Sequence, residues 1–197
     1  MLSYAAGFGT GLSLIVAIGA QNAFVLKQGL MRRHVFWVCL FCAASDAFLI
    51  LLGVTGMARI LTAAPMLAEV MRWAGTAFLV WYGARSFRSA WRGGEALRPE
   101  GDGKTLGRTL AVIAALTWLN PHVWLDTVVL VGAISAQWPR PGAFGLGAVT
   151  GSFLFFFALG YGARLLAPVF AKPRAWQVLE VLIGIVMWTI AAALIAD

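Results

Sequence analysis

Six apolar stretches, at about residues 4–26, 35–58, 66–87, 109–134, 142–167 and 176–196, take up most of the chain. Each is long enough to cross a hydrocarbon core of ~30 Å as a helix rising ~1.5 Å per residue. Inside a bilayer every backbone amide needs a partner within the protein, so only helices or closed barrels survive, and long runs without polar alternation exclude the barrel. The expected fold is an all-α polytopic membrane protein of six transmembrane helices. Only 12% of the residues are charged, against roughly 25% in a soluble domain, which is too few to cover a water-soluble globule of this length. Six spans leave short connections, so residues 1–197 are expected to form a single membrane domain in contact with the lipid bilayer. No basic residue precedes Lys27, so the first stretch lacks the leading charge of a cleaved secretory signal and is expected to remain as a span.

A net charge of +7 in a soluble protein would suggest nucleic acid, but here its placement along the connections accounts for it, and no nucleic-acid partner is expected. The first, third and fifth connections with their flanks carry Lys27, Arg32 and Arg33, then Arg85, Arg88, Arg92, Arg98, Lys104 and Arg108, then Arg164, Lys172 and Arg174. The opposite side carries Arg59, Arg72 and Arg140. By the positive-inside rule the odd connections face the cytoplasm and both termini face outward. Trp37, Trp73, Trp91, Trp138 and Trp176 lie near span ends, where an amphipathic ring suits the headgroup region.

Residues 91–108 are rich in glycine and charge, contain Pro99, and read as a cytoplasmic linker between two three-span halves, 1–90 and 109–197. Because three is odd, the second half enters the membrane from the opposite side, the layout of an inverted repeat. Asn22 with Gly19 in span one and Asn120 with Pro121 in span four then fall in corresponding, helix-weakening positions, which in such proteins mark the binding site.

The polar residues inside the spans carry the functional expectation. Asp46 lies midway along span two, where an ionised carboxylate costs roughly 2.5–3.5 kcal/mol, so it needs a partner or a purpose. Gly53, seven residues on, shares its helix face and admits another helix or a solute. Pro121 has no amide hydrogen, which leaves the carbonyl of Thr117 without its helical partner and open to a solute, an ion or water. His122 and Asp126 are four apart and share a face, so they exchange a proton or satisfy each other. Gln21 and Asn22 are adjacent amides suited to a substrate's backbone or to an unwound helix. Gly7, Gly11, Ile15 and Gly19 form a stripe that reads as a packing seam, as do Gly147 and Gly151. Glu69 and Glu180 are expected near span ends, meeting headgroups, Arg72 or Arg174. Cys39 and Cys42 have redox spacing, but inside a span, without a second cysteine pair or a histidine cluster, they read as inert small side chains.

The segments Ile18-Gly19-Ala20-Gln21-Asn22-Ala23-Phe24-Val25-Leu26-Lys27-Gln28-Gly29, Ser45-Asp46, Trp81-Tyr82-Gly83 and Thr117-Trp118-Leu119-Asn120-Pro121-His122-Val123-Trp124-Leu125-Asp126 resemble the lysine exporter family, in particular its lysine and arginine exporter branch. The resemblance runs nearly end to end and implies a multi-pass exporter of basic amino acids in the bacterial inner membrane, not an enzyme, with no cofactor. One departure stands out: Ala20 and Ala17 occupy positions where family members carry proline, which predicts a less kinked first span. On physical grounds an arginine or lysine side chain needs a carboxylate, which Asp46 and Asp126 supply, and its amino-acid backbone needs polar groups, which Gln21, Asn22, Asn120 and the Thr117 carbonyl supply. Asp46 and His122 are the expected proton carriers for exchange. A divalent-metal exporter and a membrane thiol oxidoreductase remain as alternatives, lysine against arginine stays open, and a homo-oligomer is compatible with everything above.

Overall fold

The computed structural model describes residues 1–16, 19–56, 65–91, 105–166 and 168–196. Helix α1 spans Leu2–Ile15 and α2 spans Ala20–Leu30. A turn with Arg32 and His34 at positive φ (54° and 51°) reverses the chain into α3, Val35–Val54. Helix α4 is Pro65–Trp91 and α5 is Leu106–Trp118. Past Asn120 come a short α6, Pro121–Trp124, a π-helical stretch, Leu125–Leu130, and α7, Val131–Ser135. Helix α8 covers Pro141–Gly162 and, after 3-10 turns at Ala163–Leu166 and Val169–Ala171, α9 covers Pro173–Ala196. The described residues are helical with no strand, in agreement with the all-α expectation.

Among the described residues three helices are long and apolar enough to cross a bilayer, Val35–Val54, Pro141–Leu166 and Arg174–Ala196, and α1 with α2 makes a fourth if the bent pair is one span. The pair is bent by 83°. The missing prolines at 17 and 20 therefore do not straighten the segment. Helix α4 is 27 residues long, but its arginines and its Trp, Tyr and Gly content dilute its hydropathy. The fourth predicted span is divided between α5 and the Pro121–Ser135 segment. Most of the expected linker, residues 92–104, lies outside the described residues.

Glycines set which helices touch. A side-chain carbon added at Gly7 would overlap the carbonyl of Phe144, and one at Gly147 would overlap the carbonyl of Tyr4. Gly11 faces Ala148 at the same seam, and Gly151 faces Phe8 and Leu12. Residue numbers rise together along this contact, so α1 and α8 run parallel with their backbones touching. The expected seam is present, although Gly19 takes no part in it and faces open space. Gly29 of α2 abuts Gly160 further down α8. Helix α3 runs the other way, with Val54 at Gly145 and the Cys39 thiol donating to the carbonyl of Phe156 at 3.2 Å. Gly53 lets the backbone of Val128 approach, as its position on the Asp46 face suggested. Helices α4 and α9 form an antiparallel pair in which Gly83 receives Trp188 and Gly184 receives Phe87.

One apolar cluster runs along α9 from Leu179 to Leu194 and reaches the end of the bundle nearest the α2–α3 turn. It contains Phe24, Val38, Cys39, Tyr82, Phe156, Ile183 and Met187, all buried. Within it lies a buried ion pair between Lys27 of α2 and Glu180 of α9. This corrects the expectation that Glu180 meets headgroups or Arg174: its side chain is 0% exposed. It is enclosed by the protein, paired with Lys27 of α2, rather than turned outward to headgroups. Glu69 is exposed as expected. Of the five tryptophans expected near span ends, Trp37, Trp73 and Trp91 are exposed, whereas Trp138 packs on Phe144 and Trp176 donates its indole hydrogen to the carbonyl of Phe170.

Candidate functional site

Two helix interruptions face one another across the bundle. The first is where α1 gives way to α2, with Gly19 in extended geometry (φ −111°, ψ 173°) ahead of Ala20. An α-helix begins with amide hydrogens that no preceding carbonyl accepts, and those at the start of α2 stand here. Asn22 donates its side-chain amide to the carbonyl of Ile15 at 2.7 Å, tying the two pieces together across the break. The second interruption is at Asn120, whose side chain accepts from the amide of His122 at 3.2 Å and so caps the helix that Pro121 starts. Proline suits that place because its missing hydrogen would have been an orphan there. The indole of Trp124 donates to the carbonyl of Trp118 at 3.1 Å, occupying an oxygen the break sets free.

Between the interruptions lies a cavity of about 280 Å³. Its wall includes Gly19, Gln21 and Asn22 from the first break, Asn120 and His122 from the second, Asp46 of α3, Asp126 of the π-helical stretch, and Ser152 of α8. Seven residues singled out from sequence therefore meet in one place. Thr117 and Pro121 do not reach it. Thr117 is fully buried, and its hydroxyl donates to the carbonyl of Ile113 at 2.8 Å.

Asp46 is 4% exposed, and its Oδ2 accepts a hydrogen bond from the Ser152 hydroxyl at 2.8 Å. Among the described residues the one ion pair is that of Lys27 with Glu180, so no lysine or arginine neutralises Asp46. A buried carboxylate without a cation is costly, and the serine hydrogen bond alone does not offset that. The group therefore suits a mobile positive charge, whether a proton or a cationic side chain. Beside Asp46, Ser45 accepts from the indole of Trp118 at 3.2 Å, and this fixes α3 against the last turn of α5. Asp126 and His122 lie close enough on their wall to interact electrostatically. The π-helical stretch widens the helix by one residue per turn, and such bulges recur where side chains are aimed at a function.

Ser152 was missed from sequence, and so were the π-helical turn and the burial of Glu180. A serine in an apolar helix carries no signal until the helix opposite is known. Cys39 and Cys42 are both buried with reduced thiols and lie outside the cavity wall.

A helical bundle whose interrupted helices enclose a polar cavity with an unneutralised carboxylate has the make-up of a solute translocator. Comparison with known proteins points the same way. Residues 12–197 match the family described as LysE type translocator. The putative amino-acid transporter YggA of Aeromonas salmonicida is 40% identical over 191 residues, covering 95% of this chain and 93% of its own. The arginine exporter protein ArgO of Yersinia enterocolitica is 40% identical over 190 residues, covering 94% and 92%. The protein of that name in Salmonella typhimurium is 38% identical over 191 residues, covering 95% and 90%. No solved structure matches. The chain belongs to the LysE type translocator family, and with its apolar helices it is an integral membrane protein.

Proposed function

We propose that this protein exports basic amino acids, arginine foremost, from the cytoplasm across the bacterial inner membrane in exchange for protons. The observation that carries the reading is Asp46, buried without a basic partner on the wall of a cavity that both helix interruptions enter. A guanidinium or ammonium group matches that carboxylate, with Asp126 as the second acid on the same cavity. The substrate's own carboxylate suits the positive end of α2 at Ala20, and Gln21 and Asn120 offer polar contacts to its backbone. The relatives named as arginine exporters favour arginine over lysine.

Moving a monovalent cation out of a negative interior costs about 2.3 kcal/mol per 100 mV, and an entering proton cancels the charge moved. Asp46 holds either the proton or the substrate, never both, with His122 beside Asp126 as a second proton carrier. The crossing count is six, taking the bent α1 and α2 as one span and α5 through α7 as another, with α4, α3, α8 and α9 as the rest. The two breaks then fall in corresponding members of two inverted halves. The basic turn at Arg32–Arg33 is the cytoplasmic side, which leaves both termini outward.

Arginine efflux from loaded vesicles is the test. Asp46→Asn at wild-type abundance is expected to lose efflux and its response to pH, and undiminished, pH-responsive efflux would refute the mechanism. For a divalent cation the oxygen supply is thin: among the described residues no three His, Cys, Asp or Glu side chains converge. Competition of efflux by manganese or cadmium would favour that rival.

A further inference from the structure

Resting on the export reading, we propose that Glu180 is a further carboxylate, outside the cavity wall that Asp46 and Asp126 share, for the cationic side chain of the transported amino acid on the cytoplasmic side, and that Lys27 pairs with it as an internal stand-in while the path is shut. The pair lies on two helices that also line the cavity, displaced from it toward the α2–α3 turn. On α2, Lys27 is five residues past Asn22, or ~7.5 Å along the helix, and on α9 Glu180 is ten residues before the cavity-lining Ile190, or ~15 Å. Between pair and cavity the same two helices carry Phe24, Ile183 and Met187, all buried in one cluster. Lys27 and Glu180 therefore cap a greasy plug on its cytoplasmic face.

The pair is only half satisfied. Glu180 is wholly buried, yet one of its oxygens contacts Lys27 and the other has no hydrogen-bond partner. Tyr82 is its near neighbour on α4, with Arg85 one turn further on. An ammonium is a point charge, whereas a guanidinium presents parallel N–H groups that engage both carboxylate oxygens. Glu180 consequently offers an arginine side chain more than it offers its own lysine. Drawing α2 away from α9 would strand a buried negative charge, which is strongly unfavourable unless another cation takes the place of Lys27. The incoming substrate is that cation, so its arrival and the parting of α2 from α9 favour each other.

Exchange of labelled arginine by the full-length protein in vesicles tests this, with citrulline as an uncharged analogue of similar shape. Absence of wild-type arginine exchange would defeat the export reading and this inference together. Wild-type exchange that Asp46→Asn abolishes keeps the export reading, whatever the pair does. Glu180→Gln is expected to raise the half-saturating arginine concentration about tenfold (1.4 kcal/mol) and to leave citrulline unchanged. Lys27→Met, which removes the internal competitor, is expected to lower it. Combining Lys27→Glu with Glu180→Lys keeps opposite charges facing each other and, at wild-type membrane abundance, is expected to lose arginine exchange. Should Glu180→Gln fail to fold, the doubly neutral Lys27→Met with Glu180→Gln leaves no unpaired charge and is expected to show the same weakened arginine dependence. Exchange by the charge-swapped protein within about twofold of wild type, or an unaltered half-saturating concentration in the neutral variants, would overturn the inference, because a pair that merely joins two helices behaves that way.

Discussion

Ser152 and Asp46 show how little holds the central carboxylate in place. A single hydrogen bond of 2.8 Å joins them, and a bond of this kind to a charged group contributes about 1.5–3 kcal/mol. Ser152→Ala leaves the charge where it is and removes its orientation. Arginine efflux normalised to membrane abundance is expected to fall roughly tenfold, against the complete loss expected for Asp46→Asn. The glycines are testable in the same way. At Gly147 an added methyl group meets the backbone of Tyr4 and Phe8, and backbone cannot rotate aside. Gly147→Ala should lower the unfolding midpoint in detergent by an amount corresponding to about 1–3 kcal/mol, the usual cost of overpacking. Gly9→Ala, on α1 across the seam but facing nothing within 4 Å, should leave that midpoint unchanged or raise it.

Among the elements, the interruption at Asn120–Pro121 is the one whose role separates most cleanly from stability. Restoring an amide hydrogen with Pro121→Ala lets α5 and α6 approach a continuous helix, which favours folding and misplaces Asn120, His122 and Asp126 at the cavity. Unfolding midpoint unchanged or higher, with efflux down about tenfold, is the expected pair of results. The sequence made this element visible because proline and asparagine act on their own backbone. For the same local reason it made visible the α1–α8 seam, where four-residue spacing of glycine is a property of one helix, and Asp46, whose type is out of place at mid-span. What stayed hidden depends on register between helices. Ser152 matters only because α8 sets it opposite Asp46, and Glu180, whose type suits headgroups, is placed beside Lys27 by α9. The bend between α1 and α2 arises without the proline whose absence suggested a straighter span. The π-helical turn at Leu125–Leu130 has no counterpart in composition at all.

Over the whole molecule, the cavity extends from the two helix breaks toward the end of the bundle away from the α2–α3 turn. Ile50, Ala148 and Ile190 line it from α3, α8 and α9, each on the side of Asp46 away from the α2–α3 turn, whereas Val38, Phe156 and Ile183 of the apolar cluster lie on the side toward that turn. In a protein with Cys39 and Cys42 replaced by alanine, a single cysteine at Thr127 should react with an impermeant thiol reagent added outside cells and be protected by arginine. One at Ile183 should stay unreactive from that side. Reaction at Ile183 but not Thr127 would place the opening at the wrong face. The seam between α1 and α8 limits how such a molecule changes shape. Where main chains touch, no soft layer of side chains is left to shear, so sliding would have to leap a full four-residue notch or not occur. Those two helices therefore form a single slab, and the serine that steadies the central acid goes wherever the first helix goes.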